Sequence, residues 1–107
     1  MAFSKAPAFD HHSYQQSLWS KALAHPARIH LLRHLADNGT SSFTELARLL
    51  PLHRSTVSQH LRLLRQLHLV TVTERYPYTY YTLDPMVCAA LARRTAGLQA
   101  LFAELDE

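Results

Sequence analysis

The sequence predicts a mainly α-helical chain with one β-hairpin, in the order α-α-α-α-β-β-α. Three observations set this class. From about Ser13 to Leu67, apolar residues recur at helical spacings of three and four. After His68 they give way to "LVTVTER" and "YTYYTL", two runs rich in β-branched and aromatic residues. Only "PLHRS" separates the third helix from the fourth, a turn short enough for a helix-turn-helix. A helix-turn-helix followed directly by a hairpin is the winged-helix arrangement.

Each element has its own signal. Residues 1–12 read as a loose arm, with Pro7 and no periodicity. The first helix runs from about Ser13 to Ala24, with Tyr14, Leu18, Trp19, Ala22 and Leu23 at helical spacing. Pro26 suits the first turn of the second helix, which carries Ile29, Leu31, Leu32 and Leu35 and stops at Gly39. The third, "FTELARLL", takes Ser42 or Thr44 as its cap and ends at Pro51. In the fourth, Val57, Leu61, Leu64 and Leu67 form one apolar stripe. The hairpin has its tip near Tyr76 to Thr79. Asp84 and Pro85 open the last helix as cap and first helical residue.

Bulk properties narrow the function. With 107 residues, 48% hydrophobic and 18% charged, the chain fits one small folded domain, here residues 13–107. No apolar run approaches the roughly 20 residues of a membrane span, so no membrane partner is expected. The N-terminus has no apolar signal-peptide core. The single cysteine, Cys88, cannot form an internal disulfide and fits a reducing cytoplasm, the expected location. There is no H-E-x-x-H, no Gly-rich phosphate loop and no G-x-S-x-G, so no enzyme is expected.

The net charge of +3 is unevenly spread. No acidic residue lies between Glu45 and Glu74, while Arg48, Arg54, Arg62 and Arg65 do, with His53, His60 and His68. The polar side of the fourth helix is not the usual Glu/Lys mixture of a solvated face. Arg54, Ser55, Thr56, Ser58, Gln59 and Arg62 fall within about two and a half turns. Hydroxyls, an amide and arginines are the groups that bond phosphates and base edges. This face is the candidate DNA-contacting surface. His60 borders the apolar stripe and reads mainly as a packed histidine that hydrogen-bonds the neighbouring backbone or helix, with base contact the lesser reading. On the wing, Arg75, Tyr78 and Thr79 join the candidate set, whereas Tyr81 and Tyr80 read as core filling.

The runs "KALAHPARIHLLRHL", "FTELARLL", "STVSQHLRLLRQLHLV" and "YYTLDP" resemble the ArsR/SmtB family of winged-helix repressors. The resemblance covers residues 14–105 and is most specific over Ser58 to Leu61 and Leu64 to Val70. It implies a homodimeric transcriptional repressor of the cytoplasm, joined through its first and last helices and released from operator DNA by an inducer. The sequence departs from the family in three places. The helix before the recognition helix, "TELARLLPL", lacks the cysteine motif of the arsenic, cadmium and lead sensors. The last helix lacks the histidine ligands of the zinc and nickel sensors. At the wing tip, "RYPYT" stands where the family commonly has a Gly-Arg pair, and Arg75 is the nearby arginine.

Eight histidines raise the question of a metal. Asp10, His11 and His12 cluster in the arm, and His30 and His34 lie four apart. A loose arm rarely preforms a site and histidines four apart are common, so no metal site and no cofactor are assigned; a metal effector, held where the arm of one subunit meets the last helix of the other, is the lesser reading. Cys88, near the start of the last helix, reads as a small core residue, though a helix N-terminus lowers a thiol's pKa. Val87, Leu91, Leu98, Leu101 and Leu105 run close to a heptad seam, broken by Arg94. With Tyr14 and Leu18 of the first helix they form the candidate dimer interface. The expected partners are therefore double-stranded operator DNA and a second copy of the chain. The competing class is a winged-helix module whose basic face binds an acidic protein.

Overall fold

The computed structural model describes residues 9–106. Helix α1 spans His11–Ala22, α2 Pro26–Asn38, α3 Phe43–Arg48, α4 Arg54–Gln66 and α5 Pro85–Ala103, followed by a 3-10 turn at Glu104–Asp106. Strands β1 (Ser41–Ser42), β2 (Val70–Arg75) and β3 (Tyr78–Leu83) form an antiparallel sheet in the order β1-β3-β2. The architecture is the winged helix-turn-helix that the sequence predicts, with a third strand added. Two serines carry no strand signal, which is why β1 was not foreseen. Ser41 and Ser42 pair with Tyr81 and Tyr80, and both are buried.

Local chemistry sets the helix ends. The Asp10 carboxylate accepts from the Ser13 N–H at 2.8 Å, so α1 begins at His11, earlier than the arm expected through His12. Residues 1–8 of that arm lie outside the described residues. His25 caps α2, its Nδ1 accepting from the Ala27 N–H at 3.0 Å, and Pro26 takes the first helical position. Gly39 closes α2 at φ 76°. Of the two caps considered for α3, Ser42 does the work; its hydroxyl accepts from the Glu45 N–H at 3.2 Å. The Asp84 carboxylate accepts from the N–H groups of Met86 and Val87, and Pro85 follows it.

The core joins α2, α3, α4 and the start of β2. Leu31 and Leu35 of α2, Leu46 of α3 and Val57, Leu61 and Leu64 of α4 are buried together, with Ala22, Leu69 and Val70. Each such leucine contributes about 1.5–3 kcal/mol by leaving water. Helix α4 ends in a tight reversal. The His68 N–H donates to the Arg65 carbonyl at 2.9 Å and the Leu69 N–H to the Leu64 carbonyl at 3.0 Å. This is a Schellman motif, with His68 at φ 64° where glycine is usual. It returns Leu69 and Val70 to the core and launches β2.

His60 ties α4 to α2. Arg28 can only donate, so its Nη1 gives a hydrogen bond to His60 Nδ1 at 3.1 Å, and the imidazole carries its proton on Nε2. The His25 ring lies 4.5 Å away. Burial, with the charges of His25 and Arg28, holds the His60 pKa below the ordinary histidine value.

Helix α5 divides in two. Val87, Cys88 and Leu91 pack against the core of their own chain. Leu98, Leu101, Phe102 and Leu105 are exposed. Arg94, which breaks the seam, reaches back to α1; its guanidinium donates to the His12 carbonyl at 3.2 Å and lies over the Trp19 ring. The Cys88 thiol points toward the Leu69 carbonyl. Burial, and then the Asp84 charge, raises its pKa. This runs opposite to the lowering expected from its helix position, because burial strips solvent from the thiolate.

Leu61→Ala is expected to lower stability by about 2–5 kcal/mol in urea unfolding, the range for a fully buried leucine. His68→Gly is expected to raise it by up to about 1 kcal/mol, since glycine takes a positive φ without the Cβ cost. With its folded pKa lowered, His60 favours the folded state fully above the ordinary histidine pKa, about 6.5. That contribution declines as pH falls through 6.5 and levels off below the lowered value. Urea midpoints across this window should show the decline, and His60→Gln should remove it.

Candidate nucleic-acid interface

With Val57, Leu61 and Leu64 facing inward, helix geometry decides what α4 shows to solvent. Ser55, Gln59, Arg62 and Gln66 follow one another at spacings of four, three and four, directly opposite the buried stripe, and all are exposed. Arg54 and Ser58 lie on the flank that faces the wing. Thr56 is half-buried on the other flank. The six residues expected on one face are thus split between an outer ridge and two sides. His60 is turned toward Arg28 and is not part of the ridge. Gln66, four past Arg62, extends the ridge by one further turn.

The wing stands beside this ridge. β2 and β3 pair from Val70↔Leu83 to Arg75↔Tyr78, and a two-residue turn, Tyr76-Pro77, joins them through a cis peptide bond. The turn falls within the tip expected near Tyr76 to Thr79, and Tyr76 in it is 100% exposed. Tyr78 and Thr79 lie in β3, with Tyr78 exposed and set edge-on to Tyr80. Tyr81 packs against the core, and burial raises its phenol pKa. Arg75 is exposed at the end of β2.

Between α4 and the wing lies an open cleft of about 290 Å³. Arg54 and Ser58 line one side, Tyr78 and Thr79 the other, and Phe43 and Thr44 its floor near α3. The Arg54 guanidinium sits 4.9 Å from the centre of the Phe43 ring. None of the lining residues is acidic. An exposed ridge of amide, hydroxyl and guanidinium groups beside a projecting hairpin matches the major-groove helix and flanking wing of DNA-binding domains.

Among the described residues, no group of three or more His, Cys, Asp or Glu side chains is placed to hold an ion. Asp10 is engaged by the Ser13 backbone and hydroxyl, and His34 Nδ1 by the Asn38 amide. Nor is any described helix long and apolar enough to cross a membrane.

Comparisons with known proteins agree with this geometry. A helix-turn-helix domain family matches residues 23–73, which run from the end of α1 into β2. A solved structure described as a possible transcriptional regulator for arsenical resistance is 33% identical, with 84% of this chain and 94% of that one covered and a TM-score of 0.69. HlyU from Vibrio cholerae is 31% identical, covering 89% of this chain and 99% of its own, with a TM-score of 0.68. An ArsR family transcriptional regulator superposes with a TM-score of 0.74 over 89% of this chain and 97% of that one; at 19% identity it shows the fold alone. No curated protein sequence matches. The ridge on α4, the hairpin beside it and these relatives together place the chain in the ArsR/SmtB family of winged-helix DNA-binding transcriptional regulators.

Proposed function

We propose that the protein is a homodimeric, sequence-specific repressor that leaves its operator when an inducer binds. The observation that carries the reading is the outer ridge of α4, where Ser55, Gln59, Arg62 and Gln66 stand exposed and free of acidic neighbours within the helix. In this reading Gln59 addresses an adenine and Arg62 a phosphate or guanine, each bidentate base contact contributing ~1–3 kcal/mol of discrimination. Arg75 and the wing tyrosines meet the backbone or minor groove beside it.

Two copies would be joined through α1 and α5. The support is the run of exposed apolar side chains at Leu98, Leu101, Phe102 and Leu105, with Tyr14 41% exposed on α1. Apolar groups grouped along one exposed helix end favour burial against a partner. Two recognition helices would then reach successive major grooves about 34–36 Å apart. Release by an inducer follows from the family resemblance. The two metal motifs of the family do not supply that inducer, because α3 has no cysteine and α5 no histidine.

Duplex binding followed by fluorescence anisotropy at several salt concentrations tests the reading. Arg62→Ala is expected to weaken binding to all sequences and to reduce the salt slope by about one, as loss of a phosphate contact does. An unchanged affinity at low salt would remove Arg62 from the interface. Leu101→Glu is expected to convert a dimer into a monomer by light scattering and to weaken DNA binding with it. Operator footprinting with a promoter reporter then distinguishes repression from activation.

A further inference from the structure

The cleft between α4 and the wing has chemistry of its own. Thr44, Ser58, Tyr78 and Thr79 bring hydroxyls to it, and Arg54 brings a guanidinium. These groups come from α3, α4 and β3, so the cleft exists only in the folded arrangement. An unstacked arginine on an exposed helix end would sample many rotamers. Here the guanidinium lies 4.9 Å from the Phe43 ring centre, within the range of a cation–π contact. A cation held against a ring spends none of its N–H donors on it, so the five guanidinium N–H groups stay available to an acceptor. Glu74 is the cross-strand partner of Thr79 but does not line the cleft.

We propose that Phe43 is a positioning residue that holds the Arg54 guanidinium in this cleft, making it a seat for one phosphodiester of the DNA backbone. The proposal rests on the DNA-binding reading and adds a specific anion site to it. A phosphate diester fits because the cleft offers several neutral donors and one cation, with no carboxylate among its lining residues. Seated there, a phosphate would bridge the recognition helix and the wing and fix their joint approach to the duplex. Phe43 would act without touching the DNA.

The test uses the full chain and a mixed-sequence duplex, because a phosphate contact needs no operator. Phe43→Leu is expected to weaken binding by about 3- to 10-fold at low salt, the range of a partly desolvated cation–π contact. It should also flatten the salt slope as Arg54→Ala does, while Phe43→Tyr retains both. In an Arg54→Ala background, Phe43→Leu should cost nothing further. An additive loss in the double variant, or an unchanged slope in Phe43→Leu, would overturn the proposal while leaving the DNA-binding reading in place. Because Phe43 also leans on the core, Arg54→Lys provides a readout that leaves Phe43 intact. It keeps the charge but loses the planar stack, and full retention of affinity by it would overturn the proposal too. If the wild-type chain bound no duplex DNA at low salt, the DNA-binding reading would fail and this one with it.

Discussion

The three inward side chains of α4 are the constraint on which the rest depends. Val57, Leu61 and Leu64 are fully buried, and they hold the helix by one narrow stripe against α2 and α3. A wider stripe would consume the positions that Gln59 and Arg62 occupy. A narrower one would leave the helix free to roll about its axis and blur which side chains face outward. The Arg28–His60 contact adds a directional bond on one edge of the stripe, where apolar packing alone has no angular preference. Orientation of the ridge is thus set by hydrophobic burial and refined by one hydrogen bond.

Much of this was legible because it is local. Asp84-Pro85, Pro26 and Gly39 announce helix ends through the backbone chemistry of single residues. The stripe on α4 and the β-branched runs after His68 announce themselves by spacing. The parts that were not legible depend on residues distant in the chain. Ser41 and Ser42 become a strand only because β3 offers its edge. Phe43 opens a short helix in the sequence, and only the fold brings Arg54 of α4 over its ring. Arg94 reads as a defect in a heptad seam, but its partner is the backbone of α1, 82 residues away. The division of α4's polar face into a ridge and flanks also needed the wing in place, since periodicity alone does not say which flank has a neighbour.

The cationic groups of the helix-turn-helix are arranged for unequal fates. Arg28 is spent inside the domain on a carbonyl of α1 and on His60. Arg62 is left in water on the ridge. Arg54 is intermediate, exposed yet leaning on an aromatic ring. Side chains of one chemical type thus brace, reach and rest according to what lies within a few ångströms of each.

The short strand β1 has a mechanical consequence. It pairs with β3 only at Tyr80 and Tyr81, so the sheet is three strands wide at its base and two beyond it. A two-stranded ribbon twists and bends far more easily than a wider sheet. The hairpin is therefore a cantilever: clamped near the core, compliant from Thr79 outward, and ending in the bare ring of Tyr76. Such a beam can follow grooves of different width by flexing alone, while the helix beside it keeps its seat.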